Sequence, residues 1–133
     1  MSYAIFGKVP ESAEFVREGA DPELLELIES WLHSTWQGVL AVRGDSYRQE
    51  YVNSPIWAFA APLPGIRNYA VGLLVPSLDA VGRYHPLMVC TQTAATDAVA
   101  ALRGLSDWVG RVEEALLRAL SPDSIGFADL VRE

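Results

Sequence analysis

The strongest constraint on the fold lies mid-chain, where three apolar runs, 56–61, 69–75 and 84–91, are separated only by short stretches of turn residues. The first link holds Pro62-Leu63-Pro64-Gly65, and the second, 76–83, is also of hairpin length. Each run therefore reads as a strand, and the three together as an antiparallel meander. A further apolar and aromatic run, 3–7, ends at Gly7 with Pro10 beyond it, and predicts a strand entering a turn.

Helices flank this meander. Asp21-Pro22-Glu23 is a start signal: an Asp cap, a Pro at the first helical position, and an acid where the helix dipole favours one. Leu24, Leu27, Ile28, Trp31, Leu32, Thr35, Trp36 and Val39 then recur on one wide arc at the helical period, up to the break at Gly44-Asp45-Ser46. So wide an arc predicts packing on a sheet plus a neighbour. The polar stretch 47–53 is given no element. Beyond the third strand, 97–103 forms a short helix stopped by Gly104, and Ser106 caps a second that runs to about 120 and stops at Ser121-Pro122. Its buried face is Trp108, Val109, Val112, Ala115, Leu116, Ala119 and Leu120. Leu117 lies off that face, and either meets Phe127, Leu130 and Val131 of the tail or stands exposed at an interface.

A chain of 133 residues, half of them apolar and a fifth charged, fits one globular domain over residues 1–133. Ten basic against seventeen acidic residues leave a net charge of −7, the wrong sign for phosphate or an anionic lipid surface, so neither nucleic acid nor membrane is an expected partner. The charge is concentrated at the ends: residues 1–30 carry seven acids and two bases, whereas 31–96 carry three acids and four bases. Cys90 is the single cysteine and His33 and His85 are well separated along the sequence, which rules out an intrachain disulfide and gives no Cys/His metal motif. The N-terminus lacks a signal-peptide pattern, and the longest uncharged run, 51–66, is broken by Pro55, Pro62 and Pro64. The expectation is a cytoplasmic protein without cofactor or metal.

Catalytic constellations are weak. Gly7-Lys8 lacks the earlier Gly and the following Ser or Thr of a phosphate-binding loop, and reads as a strand-end turn. Ser77, Asp79 and His85 are the residue types of a nucleophilic triad, but no Gly-x-Ser-x-Gly elbow surrounds Ser77. Glu113-Glu114 and the row Glu23, Glu26 and Glu29 fall on polar helix faces. Cys90 sits in a strand, as a buried, inert thiol does. No enzymatic activity is expected.

Two segments remain, Ser54-Pro55-Ile56-Trp57-Ala58-Phe59 and the stretch from Val75 to Leu87, which mix Pro, Gly and aromatics with one Asp and one Arg. In one reading Trp57 and Tyr84 are core aromatics and Asp79 and Arg83 a loop-stabilising pair. In the other, Arg83 and Tyr84 are offered to a protein partner, being favoured hot-spot types.

These same residues carry a family resemblance. Gly7-Lys8-Val9-Pro10, Glu14-Phe15-Val16-Arg17, Ser54-Pro55-Ile56-Trp57-Ala58-Phe59 and Pro76-Ser77-Leu78-Asp79-Ala80-Val81-Gly82-Arg83-Tyr84-His85-Pro86-Leu87 occur in the order of the TagF/ImpM family of type VI secretion-associated proteins, which the chain resembles over its first two-thirds. It departs from the family pattern at Ala13-Glu14, where Gly-Asp is usual, and at His85, where an aromatic is common. The chain also reads as a minimal, C-terminally short form.

The resemblance implies an α/β fold, a three-layer αβα sandwich with a mainly antiparallel, mixed central sheet and helices on both faces. It further implies a cytoplasmic post-translational repressor of secretion that acts by protein binding, with the forkhead-associated scaffold of the secretion system as partner. On that reading the partner-binding surface gathers Arg83, Tyr84, Asp79, Ser77, Trp57 and Gly82. A structural adaptor without repressor activity is the alternative, and a small hydrolase using Ser77 and His85 a third. Oligomeric state is left open.

Overall fold

The computed structural model describes residues 3–44, 47–52, 54–65 and 67–119. Its elements run β1 (Ala4–Gly7), β2 (Val16–Gly19), α1 (Pro22–Arg43), α2 (Tyr47–Val52), β3 (Trp57–Pro62), β4 (Asn68–Val75), β5 (Leu87–Ala94), α3 (Ala98–Gly104) and α4 (Ser106–Ala119). The five strands form one sheet in the order β2-β1-β5-β4-β3, an α/β fold. The predicted meander is its centre: Trp57 pairs with Leu74, and Val75 with Leu87. β1 adds to the outer side of β5 with Gly7 opposite Leu87, and β2 closes that edge. Among the described residues every pairing is antiparallel, so the mainly antiparallel sheet expected is found and only its mixed character is corrected.

Side chains alternate across a pleated sheet, and the core divides accordingly. Ile5, Leu73, Val75, Leu87 and Val89 pack with Val112, Ala115 and Leu116 of α4. Ala4, Phe6, Ala70, Met88 and Cys90 pack with Leu24, Leu25, Ile28 and Leu32 of α1. Leu24, Leu32, Leu116 and Val89 are among the fully buried side chains; burying each is worth about 1.5–3 kcal/mol.

α1 starts as its sequence dictates. The Asp21 carboxylate accepts from the N–H groups of Glu23 and Leu24 at 3.0 and 3.2 Å, Pro22 occupies the first turn, and Gly44 closes the other end by donating to the Leu40 carbonyl. Its apolar arc is wider than the face the sheet can cover. Leu24, Leu25, Ile28, Leu32 and Trp36 are buried, whereas Leu27 and Trp31, expected in the core, are 43% and 53% exposed.

Further expectations are revised. Residues 47–52 are not a plain polar stretch but the helix α2, whose Tyr47 and Tyr51, one turn apart, set their rings 5.5 and 5.1 Å from that of Trp36. β2 went unpredicted because Val16-Arg17-Glu18-Gly19 is short and half charged, and is strand only by pairing with β1. The third predicted strand starts at Leu87, not at 84: Tyr84 bridges back to Leu78, and Pro86 has no N–H to give a ladder. Ser106 is the first residue of α4 rather than its cap, since the Leu105 carbonyl already accepts from Val109 N–H at 2.9 Å. Trp108 and Val109 are only partly buried. Leu117 is 59% exposed, and the expected tail contacts with Phe127, Leu130 and Val131, together with Leu120, lie outside the described residues.

Candidate functional site

The β4–β5 loop, 76–86, is built around one buried carboxylate. Asp79 Oδ1 accepts from the backbone N–H groups of Val81 and Arg83, each at 3.0 Å. Its Oδ2 accepts from Arg83 Nε at 2.7 Å and from Lys8 Nζ at 3.0 Å. Gly82 N–H donates to the Asp79 carbonyl at 3.1 Å, and Asp79 N–H to the Arg83 carbonyl at 3.0 Å, so 79–83 is a closed turn. Gly82 takes φ +85° in it, a conformation that favours glycine. Burial by itself would raise the Asp79 carboxyl, but donation from Arg83, Lys8 and Val81 outweighs it and holds the group well below the usual carboxylate range.

The same atoms tie this loop to the segment that follows β1. Lys8 Nζ and Arg83 Nη2 both donate to the Ala13 carbonyl, at 3.3 and 3.0 Å, and Ala80 N–H donates to the Ser12 carbonyl at 2.8 Å. Lys8 also lies over the Phe15 ring, 4.2 Å from its centroid. Ser77 Oγ donates to the Lys8 carbonyl at 2.7 Å. From the other side, the Tyr51 hydroxyl accepts from Ser77 N–H and donates to the Ser77 carbonyl, both at 2.6 Å. Burial pushes that hydroxyl above the usual phenol range.

Of the site residues expected from sequence, Ser77 and Asp79 are buried and brace the loop from within, and the Asp79–Arg83 pairing reading is met. Arg83 is 64% exposed in its side chain although its Nε is engaged. Tyr84 is half-buried, its ring 5.3 Å from Tyr51. Trp57 is not a core aromatic: it is 61% exposed on β3, where it lines the larger apolar cavity with Pro76 and Pro86 of the loop. Val81, at 67% exposure, and Leu78 complete the loop's outer rim and were missed; the signal was their position on either side of the inward Asp79. Lys8 and Tyr51 were missed too, although Lys8 is the only lysine in the chain and Tyr47 and Tyr51 have helical spacing.

The triad alternative meets a different geometry. The Ser77 hydroxyl is committed to the Lys8 carbonyl, the Asp79 carboxylate to Lys8 and Arg83, and His85 Nδ1 lies 2.7 Å from the Pro86 carbonyl. A carbonyl only accepts, so Nδ1 carries the proton. Burial among Phe6, Phe15, His33 and Trp36 lowers the His85 pKa to about 4, keeping it neutral. Cys90 is buried and burial pushes its thiol up to about 12. Among the described residues no three His, Cys, Asp or Glu side chains are grouped to hold a metal ion, and no helix is long and apolar enough to cross a membrane.

Beside the loop, two apolar cavities of about 690 and 480 Å³ lie along α1 and share Trp31, Trp57 and Leu74. The larger is walled by Trp36, Tyr47 and Tyr51, the smaller by Phe59, Leu63 and Met88.

No protein of curated function matches the chain. The crystal structure of PA0076 from Pseudomonas aeruginosa PAO1 is similar, with a TM-score of 0.82 and 30% sequence identity over 98% of this chain and 61% of that one. The chain thus spans less than two-thirds of that protein. The sequence model of the TagF N-terminal domain, type VI secretion system-associated, matches residues 4–127, from β1 through the Asp79 turn and past α4. On that match, the chain belongs to the TagF N-terminal domain family of type VI secretion system-associated proteins.

Proposed function

We propose that the chain is a cytoplasmic, post-translational repressor of type VI secretion that works by protein binding and has no catalytic activity of its own. Its binding surface is the rim of the 76–86 loop: Leu78, Val81, Arg83 and the edge of Tyr84. The observation that carries this reading is the contrast between the two sides of that loop. Inside, Asp79 is held by four donors, while outside, Val81 is exposed, as is much of the Arg83 side chain even with its Nε on Asp79 and its Nη2 on the Ala13 carbonyl. A loop fixed in advance loses little conformational entropy on binding, and an exposed Arg beside an aromatic is a favoured anchor. The forkhead-associated scaffold of the secretion system is the partner, as the family resemblance implies. The two core clusters fit the inner faces of a three-layer arrangement.

The test is secretion in the native cell. Deletion of the gene raises secretion, and a copy carrying Leu78→Ser and Val81→Asp folds normally yet fails to restore repression. Deletion that lowers secretion identifies a structural adaptor instead, and full repression by the double variant removes the loop from the binding surface.

A further inference from the structure

The two edges of the sheet are unlike. β2 is four residues long and carries Arg17 and Glu18, with Arg17 engaged to Glu29 at 2.7 Å. β3 is six residues long, Trp57-Ala58-Phe59-Ala60-Ala61-Pro62, and has no charge. Among the described residues nothing pairs with its outer side. Open strand edges recruit further strands, and monomeric proteins blunt them with charges, bulges or shortness. β2 shows two of those devices; β3 ends in a proline but is otherwise uncharged and flanked by exposed aromatic surface.

We infer that β3 is a self-association edge, on which a second copy of this chain pairs antiparallel about a two-fold axis at Phe59. The strand is self-complementary in that register. Ala58 meets Ala60 of the second copy, Phe59 meets Phe59, and Trp57 meets Ala61, the largest side chain opposite one of the smallest. Odd-numbered residues share the face towards α1, where Trp57, Phe59 and Ala61 line the cavity of about 480 Å³. Trp57 from the second copy enters that cavity at the Ala61 and Leu63 end.

Area and charge point the same way. Trp57 and Trp31 are 61% and 53% exposed and Leu27 43%. With aromatic side chains of about 150–250 Å² each, these three offer roughly 300 Å² of apolar surface per copy, over a third of the ~800 Å² per partner of a standard interface. The strand edge, Phe59 and Pro62 add to it. Two copies of net charge −7 repel in general, and an uncharged strand is where that repulsion is least.

Sedimentation equilibrium of the 133-residue protein across the micromolar range tests the inference. The wild type sediments at twice 14.5 kDa, and Trp57→Lys, which puts a charge on an already exposed position, weakens the dimer by at least about tenfold. Trp57→Ala and Ala61→Trp each weaken it too, while the double swap Trp57→Ala/Ala61→Trp restores it, because the register pairs large with small in either direction. Circular dichroism establishes that each variant keeps the fold. A wild type that stays monomeric, because the 120–133 tail or a foreign segment is what covers β3, overturns the inference. So does a dimer indifferent to Trp57→Lys, or a double swap that fails to restore association.

Discussion

Gly7→Ala destabilises the protein far more than its single added methyl suggests. Gly7 has φ +142°, a region non-glycine residues rarely enter, and an added Cβ would lie 2.2 Å from the Pro86 carbonyl oxygen and 2.7 Å from Leu87 Cα. Holding alanine in such a conformation costs about 1–3 kcal/mol, and forcing atoms into a filled space costs about 1–3 kcal/mol more. Relief of either strain also eases the other, so the expected total is about 3 kcal/mol, a large fraction of the ~5–15 kcal/mol that holds a domain together. The clash falls on the Gly7–Leu87 pair that joins β1 to β5, one residue before Lys8, so the damage spreads to the Asp79 anchor. Urea unfolding followed by tryptophan fluorescence and circular dichroism reads the loss as a lower midpoint at unchanged slope. Gly38→Ala is the matched control: in the middle of α1, with nothing within 4 Å of the added Cβ, it stabilises by about 0.5–1 kcal/mol. A Gly7→Ala loss below about 1 kcal/mol would refute the claim that backbone approach dictates glycine here.

Tyr51→Phe removes both bonds to Ser77 and leaves its N–H unpaired, while the carbonyl keeps the His85 N–H, so stability drops by about 1–3 kcal/mol; amide exchange at Ser77 then accelerates, and an unchanged rate argues against the brace. His85 has its folded pKa lowered to about 4 from 6.5, so its contribution to stability is present above pH 6.5 and is lost as pH falls towards 4. Imidazole resonances in two-dimensional NMR show His85 still neutral at pH 5, and a His85 titration midpoint near 6.5 contradicts this. Asp79 also has its folded pKa lowered, from an unfolded value near 3.9, so its contribution is present above about pH 4 and lost below it. Asp79→Asn therefore flattens the melting temperature against pH below pH 4, and a curve parallel to the wild type's contradicts the anchor.

Local chemistry made much of this fold legible. The Asp21 cap and Pro22 start α1 where the sequence places it, and the proline- and glycine-rich links set the β3-β4-β5 meander. What was hidden was tertiary. β2 is a strand only because β1 lies beside it. α2 holds through Tyr47 and Tyr51 against Trp36, a contact between segments that no local pattern encodes. α1 exposes Leu27 and Trp31 because one sheet face cannot cover the whole arc.

The site divides in the same way. The Asp79–Arg83 pair, four residues apart, was readable. The Lys8–Asp79 pair spans 71 residues and was not. Burial then reverses what residue types suggest: Ser77 and Asp79, polar and expected outward, are inside, while Val81 is outside. The residues around Gly7-Lys8 and Pro76 to Pro86 thus mostly form a single braced turn, with its rim exposed.

The most direct measurement of the central claim is a calorimetric titration of the purified forkhead-associated scaffold from the same secretion system into this protein and into its Leu78→Ser/Val81→Asp variant. The wild type is expected to bind, and the variant, with an unchanged melting temperature, to bind at least about tenfold more weakly. A wild type that does not bind, or a variant that binds equally well, contradicts the claim.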